Sequence, residues 1–374
     1  MEIVQIDLAD WRQVRDFMRL PFRIYQDCPQ WVPALETDVR LVLNPRRHPF
    51  YRHSQAAFFM ACQDGRPVGR IAAIDNRRYN EFNRERTAFF YWFECEQNAG
   101  AARDLFASAA DWARGRGLDR MIGPKGFTPF DGAGLLVQGF EHRPAFGMPY
   151  NPPYYPGLVE AAGFRPHRET VSGYMGRTTA RFPERIHELA ARVAERRGLR
   201  VMGFRSRREL RTLTAHLKEL YNASLAGTGE NTPLTDEDAA VLADQLIWFA
   251  DPRLIKLVKK DERIVGFLFA YPDVSAALQK TRGRLLPFGW VTLLRELRRT
   301  DWVNINGAGL IEEYRGLGGT AILFSEIAKS LSDNPRYNHG DIVQIGVEND
   351  NMQREMQNFG IDFYKRHRTY IREL

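Results

Sequence analysis

Three glycines, Gly316, Gly318 and Gly319, lie where a predicted strand leads into a predicted helix. The strand covers residues 302–308, and the apolar face of the helix consists of Ile322, Leu323, Ile327 and Leu331. Glycine allows a tight turn and leaves no Cβ between the backbone and a ligand. The first amides of a helix are unpaired and lie at the positive end of its dipole. These features predict a phosphate-binding loop over residues 315–320, with a plain strand-to-helix turn as the alternative.

The spacing of this loop narrows the choice of phosphate ligand. It differs from the G-x-x-x-x-G-K-[ST] loop that binds nucleoside triphosphates and from the G-x-G-x-x-G loop of dinucleotide-binding folds. The string YRGLGGTAIL resembles the pyrophosphate loop of the GNAT superfamily of acyl-CoA-dependent N-acyltransferases. That loop reads R/Q-x-x-G-x-G/A between the fourth strand and the third helix. Arg315 and Gly318 fit the pattern, and Thr320 departs from it at the last position.

The segments that follow the loop occur in the order that this resemblance implies. Residues 341–347 are rich in β-branched side chains and are predicted to form a buried strand. Asn349 follows that strand, and Gly360 lies eleven residues later at the predicted end of a helix. Members of the superfamily typically carry an Asn and a Gly with this spacing. Residues 363–370 are then predicted to form the last strand.

The resemblance implies a co-substrate, an acceptor and a set of binding residues. The co-substrate would be acetyl-CoA or another acyl-CoA, the acceptor a small-molecule amine, and no metal ion would be needed. A β-bulge near residues 308–310 would free a backbone amide for the thioester carbonyl. The residues that would bind the acyl-CoA are Leu310, Arg315, Gly316, Leu317, Gly318, Gly319, Thr320 and Asn349.

The sequence does not identify catalytic residues. The superfamily often uses a Tyr as the acid, four residues before the glycine that ends the fourth helix, and here Met356 occupies that position. A thioether has no proton to donate. The predicted fourth strand offers Asn304 and Asn306, which cannot act as a base. The general acid and the general base therefore stay unassigned.

The two halves of the chain resemble each other at a constant offset of 197 residues. Residues 58–69 align without gaps with residues 255–266, and both stretches are typical of a β-hairpin with an Asp in its turn. We therefore predict an α/β (α+β) fold with two GNAT-like domains, each a twisted, mostly antiparallel mixed sheet flanked by helices. Residues 1–178 would form a degenerate domain, and residues 179–374 would form the domain that carries the pyrophosphate loop.

The first half has a similar string of its own, which fits Q-x-x-G-x-A at residues 97–102. Its single Gly100 offers less room for a pyrophosphate than three glycines do. Glu94 and Glu96 would also repel phosphates at close range. We interpret this string as an ordinary helix start.

Each half also carries a long insert. Residues 123–153 are rich in Gly, Pro and aromatic residues, and with Tyr154 and Tyr155 they would either line a pocket or join the two halves. Residues 272–300 are predicted to form one or two covering helices. Their large apolar side chains are expected to pack in a core, with a wall of the acceptor groove as the alternative: Leu285, Leu286, Phe288, Trp290, Leu293 and Leu294.

Composition restricts the class of protein and its compartment. The chain has 374 residues and a net charge of +7, but Asp and Glu interrupt its basic residues and no nucleic-acid-binding motif occurs. We expect no signal peptide and no membrane span. Cys28, Cys62 and Cys95 form no C-x-x-C pair, which is typical of a reduced, cytoplasmic protein. Pairing of exposed last strands would give a homo-oligomer.

The sequence favours an acyl-CoA-dependent N-acyltransferase, with acetyl-CoA as the first choice of donor and an unidentified amine as the acceptor. Two alternatives stay open. The first is an acyl-CoA-binding or structural protein without catalysis, which the missing Tyr and the missing base favour. The second is a transferase of long acyl chains, for which the aromatic insert would be the pocket.

Overall fold

The computed structural model describes residues 1–128, 130–177, 184–211, 213–225, 232–314, 319–348 and 350–374. Strands in the first part of the chain are β1 (Glu2–Gln5), β2 (Gln55–Gln63), β3 (Arg66–Asp75), β4 (Thr87–Cys95), β5 (Arg120–Gly123), β6 (Leu135–Gln138) and β7 (Arg165–Gly176). Helices in this part are α1 (Trp11–Ile24), α2 (Glu36–Val42), α3 (Arg77–Asn83), α4 (Ala99–Arg114) and α5 (Tyr155–Ala161), with a 3-10 turn at Pro49–Arg52.

The second part of the chain repeats this alternation of strands and helices. Its strands are β8 (Leu199–Gly203), β9 (Ile255–Lys260), β10 (Arg263–Pro272), β11 (Trp302–Leu310), β12 (His339–Gly346) and β13 (Asp362–Glu373). Its helices are α6 (Glu184–Arg197), α7 (Arg207–Arg211), α8 (Thr214–Leu225), α9 (Asp236–Phe249), α10 (Ser275–Thr281), α11 (Gly289–Arg299), α12 (Gly319–Ser332) and α13 (Asp350–Asn358). Short 3-10 turns lie at Pro252–Leu254 and Glu312–Tyr314. No helix in the described ranges combines the length and the apolar content that crossing a bilayer requires.

The chain forms two compact units, and each unit draws on separated segments. The first unit consists of Met1–Val171, Ser275–Leu293 and Lys365–Leu374. The second unit consists of Ser172–Val274 and Leu294–Tyr364. The predicted boundary between residues 178 and 179 falls in the stretch 178–183, outside the described residues.

In the first unit, the strands follow the order β1-β2-β3-β4-β5-β13-β7, and β6 pairs with β13. Neighbours from β1 to β4 are antiparallel, β4 and β5 are parallel, and β5 and β13 are antiparallel. In the second unit, the order is β7-β12-β11-β10-β9-β8. There β8 to β11 are antiparallel, and β11 and β12 are parallel. Among the strand pairs whose register is described, each unit therefore has one parallel pair and is otherwise antiparallel, which is the mostly antiparallel mixed sheet that was predicted.

The repeat predicted from the sequence is confirmed at the level of strand register. Ala61 lies opposite Gly69 in the first hairpin, and Val258 lies opposite Gly266 in the second, at the same offset of 197 residues. The turn positions agree as well, because the Asp residues at 64 and 261 have φ of +52° and +51°. Asp is among the few residues other than Gly that tolerate this left-handed conformation.

Side chains of β2 alternate between two apolar layers, as the pleat of a strand requires. Phe59 belongs to a buried cluster that includes Leu105 and Phe106 of α4. Phe58, the preceding residue, belongs to another cluster that includes Phe17 of α1. The first sheet is therefore covered by helices on both faces.

The second unit has the same construction of two apolar layers. One layer contains Ile186 of α6 together with Leu323 and Ile327 of α12. The other layer contains Leu220 of α8 and Phe267 of β10. Helix α12, which follows the predicted loop, is therefore held against the sheet by its apolar face.

The aromatic insert of the first unit contributes mainly to packing. Phe127 is buried in the layer that contains Phe17, and Tyr155 is fully buried in the layer that contains residues of α4. The Tyr150 hydroxyl donates to the carbonyl of Phe140, 3.0 Å away, within the insert itself. These contacts support a packing role inside the first unit for this part of the insert.

The second insert forms two helices, as predicted, but the expected burial of its large side chains is wrong. Ala277 and Leu278 of α10 are buried, whereas α11 has no buried residue. The large side chains that project into solvent are Leu286, Phe288, Trp290, Val291 and Leu294. Among the described residues, these side chains join none of the apolar clusters of either unit, which is why they are not buried. The turn before α11 closes on its own backbone, where the Trp290 amide donates to the carbonyl of Leu285 at 2.9 Å.

Candidate active site

The parallel strands β11 and β12 of the second unit pair over only part of their length. Their register runs from Trp302 opposite His339 to Ile305 opposite Ile342. Beyond it, β11 continues to residue 310 and β12 continues to residue 346. Strands that stop pairing before they end leave a gap in the sheet. An extended ligand can lie in such a gap and form hydrogen bonds with the unpaired strand backbone, as an additional strand would.

A β-bulge interrupts β11 where this gap begins. Phe269 lies opposite Gly307 and Ala270 lies opposite Ile305, so Asn306 is the extra residue. The expectation of a bulge near residues 308–310 is therefore wrong, because those residues pair regularly with β10. The Asn306 side chain donates to the Tyr271 hydroxyl at 2.8 Å, which fixes the bulged residue.

The predicted acyl-CoA-binding residues are only partly described. Helix α12 begins at Gly319 and includes Thr320, so a helix N-terminus follows the loop as predicted. Leu310 ends β11, and its side chain is buried in the apolar layer of the second unit. The remaining predicted residues lie outside the described ones: Arg315, Gly316, Leu317, Gly318 and Asn349. Phosphate binding by this loop stays a prediction.

Met356, at the position where the superfamily often has a Tyr acid, is a core residue. Its side chain is 2% exposed and lies in the same apolar layer as residues of α12. Its carbonyl accepts the amides of Phe359 and Ile361 at 3.0 and 3.1 Å, where α13 ends. Met356 therefore has a packing role.

Two buried carboxylates lie on either side of β11, before the bulge. Asp273 follows β10, where its amide donates to the carbonyl of Trp302 at 2.9 Å. Asn304 of β11 donates from Nδ2 to Asp273 Oδ1, also at 2.9 Å. Asp341 of β12 lies directly opposite Asn304 in the parallel register. All three side chains are at most 4% exposed. We call Asp273, Asn304 and Asp341 the polar cluster.

Two phenols adjoin the polar cluster, and both are held in the protonated form. Burial raises the pKa of Tyr364 far above its usual range, and the nearby carboxylates of Asp341 and Asp273 raise it further. Burial also raises the pKa of Tyr271, which the Asn306 amide opposes and the same carboxylates reinforce. Because both phenols stay neutral, they add no negative charge next to the carboxylates of the polar cluster.

The polar cluster offers the chemistry that the sequence did not reveal. A carboxylate can accept a proton from an amine. Among the described residues, Asn304 Oδ1 is buried without a hydrogen-bond partner. A buried acceptor without a donor is costly, and a bound ammonium or hydroxyl group would supply the missing donor.

The sequence missed this cluster because its members are far apart along the chain. Asp273 follows one apolar run, and Asp341 begins another. Each carboxylate alone is typical of a strand end. Only the strand order β10-β11-β12 and the register of Asn304 with Asp341 bring the two carboxylates to one place.

The equivalent gap of the first unit is closed by the chain itself. Strands β4 and β5 pair from Thr87 to Phe89, and β4 then continues to Cys95. The Cys95 amide donates to the Tyr155 hydroxyl, and its carbonyl accepts the Tyr154 hydroxyl, both at 2.9 Å. A ligand could not pair with this backbone without displacing the two phenols.

The start of α4 in the first unit is capped by its own chain. Asn98 Oδ1 accepts the amide of Ala101 at 3.0 Å, which is an ordinary N-cap. Glu96, just before the helix, forms ion pairs with Arg23 and Arg66. These contacts support the interpretation of residues 97–102 as a plain helix start.

Comparison with solved structures identifies the fold. A tandem GNAT protein from the clavulanic acid biosynthesis pathway superimposes with a TM-score of 0.57 at 13% identity, over 100% of this chain and 98% of that one. A GCN5-related N-acetyltransferase from Anabaena variabilis gives a TM-score of 0.54 at 9% identity, over 99% of this chain and 72% of that one. The chain therefore has the tandem GNAT fold, and the predicted two GNAT-like domains are confirmed.

Two curated proteins resemble the chain over nearly its whole length. A protein from Caulobacter vibrioides named bacterial ceramide synthase is 28% identical over 378 residues, which cover 97% of this chain and 95% of the relative. Protein YghO from Escherichia coli is 24% identical over 366 residues, which cover 96% of this chain and 93% of the relative. No protein-family model matches the chain.

Proposed function

We propose that the chain is an acyl-CoA-dependent N-acyltransferase that joins a long acyl chain to the amine of a long-chain amino alcohol. The observation that carries this proposal is the match, along both chains almost end to end, to the protein named bacterial ceramide synthase. A ceramide is the amide of a fatty acid and a long-chain amino alcohol. The tandem GNAT fold supports acyl transfer from a thioester.

The second unit is the proposed catalytic unit. Its gap between β11 and β12 would take the acyl-CoA, and the glycines before α12 would take the pyrophosphate. The closed gap of the first unit supports this choice, because the hydroxyl groups of Tyr154 and Tyr155 already form hydrogen bonds with the backbone carbonyl and amide of Cys95.

The proposed reaction needs one proton acceptor from the protein. The neutral amine attacks the thioester carbonyl, the carbon–nitrogen bond forms, and the carbon–sulfur bond breaks. The amine loses a proton, which Asp341 would accept, and the CoA thiolate leaves and takes a proton from water. Asp273 would hold Asn304, whose Oδ1 would accept a hydrogen bond from the amino alcohol.

A product assay tests this function. Purified protein is incubated with acetyl-, octanoyl- and palmitoyl-CoA and with three amines: a long-chain 2-amino-1,3-diol, the short 2-amino-1,3-propanediol, and a long-chain alkylamine. Released CoA is measured with a thiol reagent, and the amide is identified by mass spectrometry. We expect the highest kcat/KM with palmitoyl-CoA and the long-chain amino diol.

The same assay separates the alternatives. The highest rate with acetyl-CoA and a short amine would replace the proposal with a small-molecule N-acetyltransferase. Binding of acyl-CoA without amide formation from any amine would favour a protein that has lost catalysis.

A further inference from the structure

The segment before and within α11 exposes a group of large apolar side chains. We call Leu286, Phe288, Trp290, Val291 and Leu294 the exposed segment. Leu286 and Phe288 are 79% and 75% exposed, and the other three are 40% to 50% exposed. Large apolar side chains that cluster at a surface mark an interaction site more often than single ones do.

The exposed segment is held in place by its own backbone. The amides of Trp290 and Val291 donate to the carbonyls of Leu285 and Phe288 at 2.9 and 3.1 Å. Just before the segment, the carbonyl of residue 283 accepts the amide of residue 36 at 2.9 Å, and the guanidinium of residue 284 pairs with the carboxylate of Glu36. The apolar side chains are therefore presented by an anchored turn.

Basic side chains continue the exposed side of the helix. Residues four apart on a helix lie on one side, so Arg295 and Arg298 follow Val291 and Leu294. Arg299 is exposed as well. From residue 291 to residue 298 the helix rises about 10 Å, which is comparable with the depth of a lipid headgroup layer.

We propose that the exposed segment docks the protein on the surface of an anionic lipid bilayer. Its apolar side chains enter the boundary between headgroups and acyl chains, while Arg295, Arg298 and Arg299 contact lipid phosphates. A bilayer fits better than a protein partner, because exposed basic side chains follow the exposed apolar ones on the same side of one helix, as anionic headgroups above acyl chains require. Trp and Phe are also suited to the interface between water and lipid.

Vesicle binding by the full-length protein tests this proposal without any acyl-CoA. Sucrose-loaded vesicles of phosphatidylcholine, with or without phosphatidylglycerol, are sedimented with the protein at low salt. We expect binding to the vesicles with phosphatidylglycerol, weakened by added salt. The double variant Phe288→Ser, Trp290→Ser should bind at least about tenfold more weakly. The double variant Arg298→Gln, Arg299→Gln should lose most of the salt-dependent part of its binding to vesicles that contain phosphatidylglycerol.

Phe82→Ser is the matched control, since Phe82 is 60% exposed on α3 of the first unit. It should leave vesicle binding unchanged, and circular dichroism checks the fold of every variant. The proposal is overturned if the wild-type protein binds neither kind of vesicle. It is also overturned if Phe82→Ser loses as much vesicle binding as the double variant Phe288→Ser, Trp290→Ser. It is also overturned if light scattering shows that the double variant abolishes a dimer, because the occupant would then be a second copy. Because the readout is binding, it is independent of the proposed acyl transfer.

Discussion

At the scale of single residues, the polar cluster contains the group that we propose as the proton acceptor. Asp341 lies on the strand next to the gap, opposite Asn304, and Asp273 holds the Asn304 amide. Tyr364 has a strongly raised pKa because it is buried beside both carboxylates. A phenol in this environment is a poor acid, which is why the proposal gives the proton transfer to a carboxylate and not to Tyr364.

Asp341→Asn should lower kcat of the proposed acyl transfer by a factor of about 100 or more, because an amide of the same shape accepts no proton. Affinity for acyl-CoA, measured by calorimetry, should stay within about twofold of the wild type if the carboxylate acts only on the amine. Asp333→Asn, at an exposed position after α12, is the control. A kcat near that of the wild type would exclude Asp341 as the base.

His367 of the first unit should make stability depend on pH. Burial lowers its pKa from 6.5 to about 4, and its Nε2 lies 3.1 Å from the carbonyl of Pro149. The unfolded chain binds a proton below pH 6.5, whereas the folded protein does so only near pH 4. The neutral form therefore contributes stability above about pH 6.5, and this contribution falls as the pH drops toward 4, by on the order of 3 kcal/mol.

Urea unfolding of the wild type and His367→Gln between about pH 4 and pH 7 measures this contribution. The difference in the free energy of unfolding between the two proteins should shift in favour of the variant as the pH falls. His142→Gln is the control, because the His142 side chain is 42% exposed in the same unit. Parallel curves for wild type and His367→Gln would contradict the prediction.

At the scale of elements, the two units differ in whether the gap beside their parallel strand pair is closed. In both units the register of this pair ends early, and a helix follows the longer strand. In the first unit, the Tyr155 hydroxyl accepts the backbone amide of Cys95 at the gap. At the start of the following helix, the Asn98 side chain accepts the backbone amide of Ala101. We infer that the second unit is the one that offers a helix start for a pyrophosphate.

Gly318→Val should weaken CoA binding at least tenfold, ~1.4 kcal/mol, because a branched side chain would fill the space for the pyrophosphate. Gly100→Val in the first unit should change the affinity little. Isothermal titration calorimetry with CoA measures both variants. If Gly318→Val binds CoA with unchanged affinity, the loop at residues 315–320 is not the pyrophosphate site. If Gly100→Val loses affinity for CoA, the site lies in the first unit.

At the scale of the whole molecule, the C-terminal segment completes the first unit. Lys365–Leu374 belongs to that unit, where Tyr370 and Ile371 are buried and β13 pairs with β5. The first unit therefore cannot form its complete sheet from residues 1–178 alone. Its stability depends on a segment from the far end of the chain.

Deletion of residues 365–374 should destabilise the first unit by at least about 3 kcal/mol, since it removes four buried side chains and most of strand β13. Hydrogen exchange followed by mass spectrometry should show lost protection in β4 and β5. The hairpin of β9 and β10 serves as the internal reference and should keep its protection. Unchanged protection in β5 would contradict the assignment of this segment to the first unit.

The sequence by itself determined the repeat, the fold class and the place of the helix after the glycine loop. These features depend on local patterns: period-two apolar strands, turn residues such as Asp64 and Asp261, and glycines before an amphipathic helix. The tertiary structure alone decided the position of the bulge at Asn306, the placement of Asp273 and Asp341 on either side of β11, and the exposure of Phe288. Register, strand order and burial depend on residues far apart in the chain, which no local pattern specifies.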